Sequence, residues 1–293
     1  MLGVNRSGFE FACAQGWDFT EGPTDAAAIA AIAAWHVNVV RVPLNEGCWL
    51  GLSSLPADYT GGPYRDAVKG FVQRLHAAGL YVILELHWNA PGSQPALGQQ
   101  VMPDADHSPA FWKSVARTFK SDRALIFDVY NEPHDVSWAC WRDGCTTGGG
   151  WKTAGMKLLV KAIRGVGAKQ PIMLGGLGWS NDLSGWLQWR PAGTGLVAAF
   201  HTYNFNGCST QACWDAQVAP VAAKVPVVTG EFGENDCAHG YADSYMDWAD
   251  AHGISYLGWT WNPWNCNDGP ALIADWSGTP TPYGAGLHDH LSP

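Results

Sequence analysis

The sequence predicts an α/β fold, a single (β/α)8 TIM barrel spanning residues 1–293. Three observations carry the prediction. Eight short apolar runs, rich in β-branched residues, alternate with Ala-rich or amphipathic helical stretches. That is the pattern of a parallel sheet covered by helices on its outer face. The length of 293 residues accommodates one barrel of about 250 residues. No Pro/Ser/Thr-rich linker or low-complexity tail divides the chain. A doubly wound sheet would want a Gly-rich phosphate turn after the first strand, and Asn5-Arg6-Ser7-Gly8 is not one.

The strands are expected near 2–5, 37–42 (VNVVRV), 80–87 (LYVILELH), 125–130 (LIFDVY), 171–175 (PIMLG), 196–201 (LVAAFH), 225–230 (VPVVTG) and 255–261 (SYLGWTW). Helices fit between them near 24–35, 63–78, 108–120, 150–168, 182–189, 211–223 and 240–252, with a last one near 283–291. Ser108-Pro109 reads as an N-cap followed by proline at the first helical position. Gly79 and Gly253 stand where helices should stop before strands.

Composition narrows the function. Lys and Arg number 17 against 26 Asp and Glu, a net charge of −9, which argues against a nucleic-acid or anionic-membrane partner. No stretch approaches the roughly 20 apolar residues of a membrane helix. The start, MLGVNRSGFEF, lacks the basic and long apolar runs of a signal peptide. The 17 Trp exceed what a core needs, so some are expected on a binding surface. Eight cysteines are present; Cys140/Cys145 and Cys208/Cys213 are each close enough to close a small loop. Many pairings are open to eight cysteines; the one taken is Cys13–Cys48, Cys140–Cys145, Cys208–Cys213 and Cys237–Cys266. A zinc site is the competing reading, but no CxxC occurs and the CxxxxC spacing suits it poorly. Disulfides imply an oxidising compartment, so a secreted, extracellular protein whose signal has been removed is expected, acting as a monomer.

In such a barrel chemistry sits at the C-terminal ends of the strands. The second expected strand brings Arg41; the third His87, Trp88 and Asn89; the fourth Asn131 and Glu132; the sixth His201 and Tyr203; the seventh Glu231; the eighth Trp259 and Trp261. Any one of these could be an ordinary satisfied polar group. Six strands ending this way at one face describe a site. Glu132 and Glu231 come from different strands and should converge on the axis. Two facing carboxylates in unlike environments make an acid and a nucleophile or base, the equipment for cleaving a glycosidic bond. Arg41 and the Tyr203 hydroxyl could keep Glu231 ionised, with Asp128 as a support deeper in the barrel. No HExxH, P-loop or GxSxG is present; Gly178-Trp179-Ser180-Asn181 lacks the last glycine. No metal or cofactor is therefore expected.

The ordered set GVNRSG, Arg41, His87, NEP at 131–133, His201-x-Tyr203, Glu231 and GWTWNPW resembles glycoside hydrolase family 5, the cellulase family, over nearly the whole chain. The resemblance implies a retaining double displacement with Glu132 as acid/base and Glu231 as nucleophile. It implies that Asn131 holds the sugar 2-hydroxyl, that His201 and Tyr203 order the carboxylates, and that Trp261 stacks under the sugar at the cleaved bond. The chain is expected to begin directly at its first strand, without the N-terminal hairpin common in that family, and to carry no carbohydrate-binding module.

Trp49, Trp88, Trp138, Trp141, Trp179 and Trp264 fall in expected loops and could stack on successive glucose rings. Equatorial hydroxyls leave the faces of a β-1,4-glucan flat, so an endo-acting β-1,4-glucanase on cellulose or β-glucan is the favoured reading. A β-1,4-mannanase or xylanase on the same machinery is the alternative. A non-catalytic sugar-binding protein is the rival from another class, and the paired glutamates argue against it.

Overall fold

The structure, a computed structural model, describes residues 1–292. Eight parallel strands close into a barrel in sequence order. They are β1 (Leu2–Asn5), β2 (Val39–Asn45), β3 (Tyr81–Trp88), β4 (Leu125–Asp128), β5 (Ile172–Gly175), β6 (Leu196–Tyr203), β7 (Val227–Gly233) and β8 (Ser255–Gly258). The ring closes where Val4 of β1 pairs with Gly258 of β8. Helices cover the outside, as the near-continuous burial of the strands requires.

Side chains alternate along each strand, so the barrel interior is built in layers. Val39, Ile83, Ile126, Met173, Val197 and Leu257 belong to one apolar cluster inside it. Two residues further along β2, β3 and β4 stand Arg41, Glu85 and Asp128, all buried. The charged layer thus rests on a dry one and lies toward the C-terminal ends of the strands. The outward-facing residues pack with the helices into one large core.

The eight strands and the main helices lie where expected, with informative differences. The helix expected over 150–168 spans only Met156–Arg164. Before it, Lys152 and Thr153 form isolated bridges to Thr146 and Asp104. The stretch expected as 211–223 is two helices, Gln211–Gln217 and Ala219–Ala222. Ser108 is the first helical residue rather than the cap, which is His107. Short helices Ala12–Gln15, Glu46–Leu50 and Trp138–Asp143 escape a periodicity search because each is about a turn or two long. Side chains of Asn45 and Ser137 cap the latter two. Gly79 and Gly253 adopt φ +80° and +65°, as helix-terminating glycines do. β8 stops at Gly258, three residues early, which matters for the site.

The four disulfides are those expected: Cys13–Cys48, Cys140–Cys145, Cys208–Cys213 and Cys237–Cys266. The first and last span 35 and 29 residues and the other two span 5 each. Loop-closure entropy assigns about 3.5–4 kcal/mol to each long loop and about 2 kcal/mol to each short one. Cys13→Ser/Cys48→Ser should therefore lower the urea midpoint more than Cys208→Ser/Cys213→Ser. Thiol titration of the unfolded, unreduced wild type should find no reactive group. Two or more would refute the pairing.

Candidate active site

The site is assembled around Arg41. Its guanidinium is buried and donates to Asp128 Oδ2 (3.0 Å), Asn5 Oδ1 (3.0 Å), Glu231 Oε1 (2.6 Å) and Asn131 Oδ1 (2.8 Å). Glu85 lies 3.6 Å away. One side chain on β2 thus fixes groups from β1, β4 and β7 and from the segment after β4. Asn5 also donates to the carbonyls of Gly230 and Gly258, tying β1 to both neighbours of the site.

Glu231 reaches this position through an irregularity. The β6–β7 register shifts between Phe200 and His201, and the β7–β8 register between Thr229 and Phe232. Bulges of this kind re-aim side chains at the rims of barrels. Gly230 is part of the same device: a Cβ there would sit 2.9 Å from His201 Nε2. Tyr203 donates its hydroxyl to Glu231 Oε2 at 2.6 Å. Burial opposes the charge on Glu231, but His201 and Arg41, aided by His87 and the Tyr203 bond, outweigh it and bring its pKa down to about 2. It is a carboxylate at any ordinary pH.

Glu132 sits in the opposite wall. Its side chain is 18% exposed against 5% for Glu231, and His201 Nδ1 lies 3.0 Å from its Oε1. Oxygens of the two carboxylates and a His201 nitrogen lie within 4.8 Å of one another. His87 is anchored through Nδ1 to Glu85 (2.9 Å) and stacks its ring on Trp259 at 5.6 Å. Gln99 accepts from Asn131 Nδ2 (2.5 Å) and donates to the Glu132 carbonyl (2.8 Å). These groups line an open cleft of about 530 Å3, with Trp179, Phe205 and Pro270 at its edges.

The profile of the family described as Cellulase (glycosyl hydrolase family 5) matches residues 3–265. The chain belongs to glycoside hydrolase family 5. A mannan endo-1,4-beta-mannosidase of Streptomyces lividans is 25% identical over 257 residues, 83% of this chain and 60% of its own. An endoglucanase of the same organism is 24% identical over 242 residues, 78% of this chain and 46% of its own. The chain thus spans about half to three-fifths of these relatives' lengths. Among solved structures, a beta-glucanase from Saccharophagus degradans superposes with a TM-score of 0.75 at 20% identity, covering 99% of this chain and 86% of that one. At that identity it supports the barrel fold.

The structure brings Arg41, His87, Asn131, Glu132, His201, Tyr203, Trp179 and Glu231 together as the sequence suggests. Trp261 is a correction. It is 1% exposed and packs edge-on against Trp35 at 4.8 Å, behind the cleft wall. The expectation assumed an extended strand through 261, in which Trp259 faces the same way as Trp261 but one layer deeper, in the core; the structure reverses both placements. Because β8 ends at Gly258, the chain turns: Thr260 N–H bonds Pro270 O and Trp261 N–H bonds Asn5 O. Trp259 is the indole in the cleft. Trp49 and Trp141 are also buried, and Trp138 packs on Trp141. Trp88 and Trp264 flank Phe11 at 6.3 and 6.4 Å, outside the immediate cleft. The sequence reading missed Gln99, Phe205 and Pro270, which sit in loops without periodicity.

Two predictions follow from this geometry. Trp259→Ala should lower kcat/KM at least 100-fold, about 2.7 kcal/mol. Trp261→Ala should instead destabilise the fold by about 3–5 kcal/mol and leave kcat/KM of the folded fraction near wild type. Steady-state kinetics with denaturant titration separates the two, and reversed effects would restore Trp261 to the site.

The second concerns pH. Burial pushes Glu85 up to about 8 and Asp128 up to about 7, despite Arg41. Unfolded, both titrate near 4. The folded state therefore binds more protons over that interval, and their contribution to stability falls as pH rises from about 4 to 8. Glu231 acts in the opposite sense, losing its contribution only as pH falls toward about 2. Glu85→Gln should flatten the decline in Tm between pH 5 and 8; parallel Tm curves for variant and wild type would refute the protonated Glu85.

Proposed function

We propose that this chain is a catalytic domain that hydrolyses β-1,4-linked glucan internally, by a retaining double displacement. The observation that carries the mechanism is the approach of the two carboxylates, with oxygens within 4.8 Å. That fits the retaining spacing of about 5–5.5 Å between carboxyl groups rather than the roughly 6.5–9.5 Å that leaves room for an attacking water. Glu231, ionised and held by Arg41 and Tyr203, attacks the anomeric carbon as Glu132 gives its proton to the departing glycosidic oxygen. The Glu132 carboxylate then takes a proton from water. The resulting hydroxyl attacks the same carbon and frees Glu231. Two inversions return the β-anomer. Asn131 is placed to meet the 2-hydroxyl.

The aromatic surface supports a polymeric substrate. Trp179 is 47% exposed and lies parallel on His134 at 3.5 Å; Phe205 stacks on Tyr203 at 5.2 Å. Beyond the cleft, the Phe11 ring contacts Trp17, Trp88 and Trp264. Flat sugar faces match such rings. The four disulfides support secretion into an oxidising compartment. β-1,4-Mannan is the second reading, favoured by the relative named as a mannan endo-1,4-beta-mannosidase.

The test is a product profile on carboxymethylcellulose, barley β-glucan, mannan and xylan, with proton NMR of the first anomer formed. Turnover should be greatest on the glucans, with a falling viscosity that outpaces release of reducing ends and a β-configured first product. Preference for mannan would overturn the glucan assignment, and an α-product would overturn retention.

A further inference from the structure

A second group of acids lies outside the catalytic cleft, where the barrel rim meets the helix Ser108–Phe119. Glu46 opens the helix that follows β2, Asp104 lies in the β3-to-helix loop, and His107 caps the helix. Both carboxylates are buried, while the His107 side chain is 22% exposed. His107 Nδ1 lies 4.0 Å from Glu46 Oε1, 3.7 Å from Asp104 Oδ1 and 3.3 Å from the Ala90 carbonyl oxygen, a contact that needs a proton on Nδ1 and that an ion bound there would displace. One ligand atom from each of the three lies within 4.8 Å of the others. For bonds of about 2.2 Å, the two measured separations correspond to ligand–ion–ligand angles of about 115° and 130°.

The hydrogen bonds around the group are incomplete. Ser108 Oγ has a single proton, yet it lies 2.5 Å from Glu46 Oε2 and 3.3 Å from Asp104 Oδ2. Asp104 is further held by Asn89 Nδ2 and by the backbone N–H of His107. Glu46 Oε1 faces His107, is fully buried and has no hydrogen-bond partner within 3.5 Å. A carboxylate oxygen is not left in that state without a proton or a cation to meet it.

We propose that Glu46, Asp104 and His107 bind a divalent first-row cation of the Mn2+ type, as a structural brace independent of the catalytic glutamates. Two carboxylates and one imidazole form a predominantly hard donor set that suits such an ion. A cation would meet the unpartnered Glu46 Oε1 and leave both acids ionised. The brace has a route to the site. Asp104 holds Asn89, Asn89 accepts from the Tyr130 hydroxyl, and that hydroxyl also accepts from Gln100 N–H. The neighbouring Gln99 carries the bonds to Asn131 and Glu132. The ion would therefore pin the far end of the loop that presents Gln99.

The test is titration of the chelator-treated whole chain with Mn2+, read by calorimetry, by Tm and by pulsed electron paramagnetic resonance. One Mn2+ should bind per chain, raise Tm by roughly 5 °C when saturating and show nitrogen coupling from one imidazole. His107→Ala should abolish that coupling and weaken binding at least tenfold. Its ring is partly exposed, so the variant should fold, and circular dichroism checks this. Asp104→Asn should weaken binding similarly. Glu132→Gln should leave binding and coupling intact. No binding at millimolar Mn2+ would overturn the proposal. So would binding that survives His107→Ala but is lost in Glu132→Gln, which would place the ion between the catalytic carboxylates and His201.

Discussion

A guanidinium buried without partners would be prohibitively unfavourable, and here that constraint organises the C-terminal face of the barrel. Arg41 is surrounded by Glu85, Asp128 and Glu231 and by the amide oxygens of Asn5 and Asn131. Its donors radiate in one plane at fixed angles. Each partner must therefore stand at a set place, and the partners belong to five different parts of the barrel wall. The ion cluster is a weak argument for net stability, because desolvation offsets much of the attraction. Its effect is positional: it defines where Glu231 and Asn131 sit.

The same cluster separates the two carboxylates chemically. Three acids face one guanidinium, so not all three can be ionised without strain. The burden falls on Glu85 and Asp128, which burial keeps protonated toward neutral pH. Glu231 takes the closest contact with Arg41 and the hydroxyl of Tyr203, and stays charged. The deeper acids thus act as proton-holding supports that leave the positive charge to the nucleophile in the proposed reaction. Glu132 makes no contact with Arg41 and is more exposed; it meets His201 Nδ1 at 3.0 Å, while Glu231 Oε2 lies 3.7 Å from the same nitrogen. In the proposed reaction, two chemically identical side chains take different duties through their surroundings alone.

Most of this was readable in the sequence because a parallel barrel converts linear position into spatial position. An apolar run followed by a polar residue marks a strand end, and all strand ends share one face. That logic located Arg41, Glu132, His201, Tyr203 and Glu231 without any contact information, and the motif order pointed to the family. It failed for Trp261, since side-chain alternation holds only within a strand and nothing in GWTWNPW marks the end at Gly258. It failed for Trp49 and Trp141 because an indole near a strand end is as well suited to the core as to a cleft. Gln99 and the Glu46–Asp104–His107 group were invisible for another reason. They are assembled from loops and helix starts, whose meeting depends on tertiary packing and leaves no periodic signal.

The placement of the tryptophans has a consequence for the energetics of the proposed reaction. The cleft around the glutamates, about 530 Å3, accepts only a short stretch of glycan. The aromatic surface continues past it to Trp17, which is 61% exposed, and to Trp264, whose indole is oriented by Glu21. Contacts so far from the scissile bond cannot stabilise the transition state directly. They can hold a long chain while the sugar over Trp259 is distorted toward the oxocarbenium shape, so that remote binding offsets the energy of distortion. The rigid site on the strands and the outlying aromatic surface are then complementary parts. The first needs exact geometry, which Arg41 supplies; the second needs only flat, exposed rings, which loops can carry.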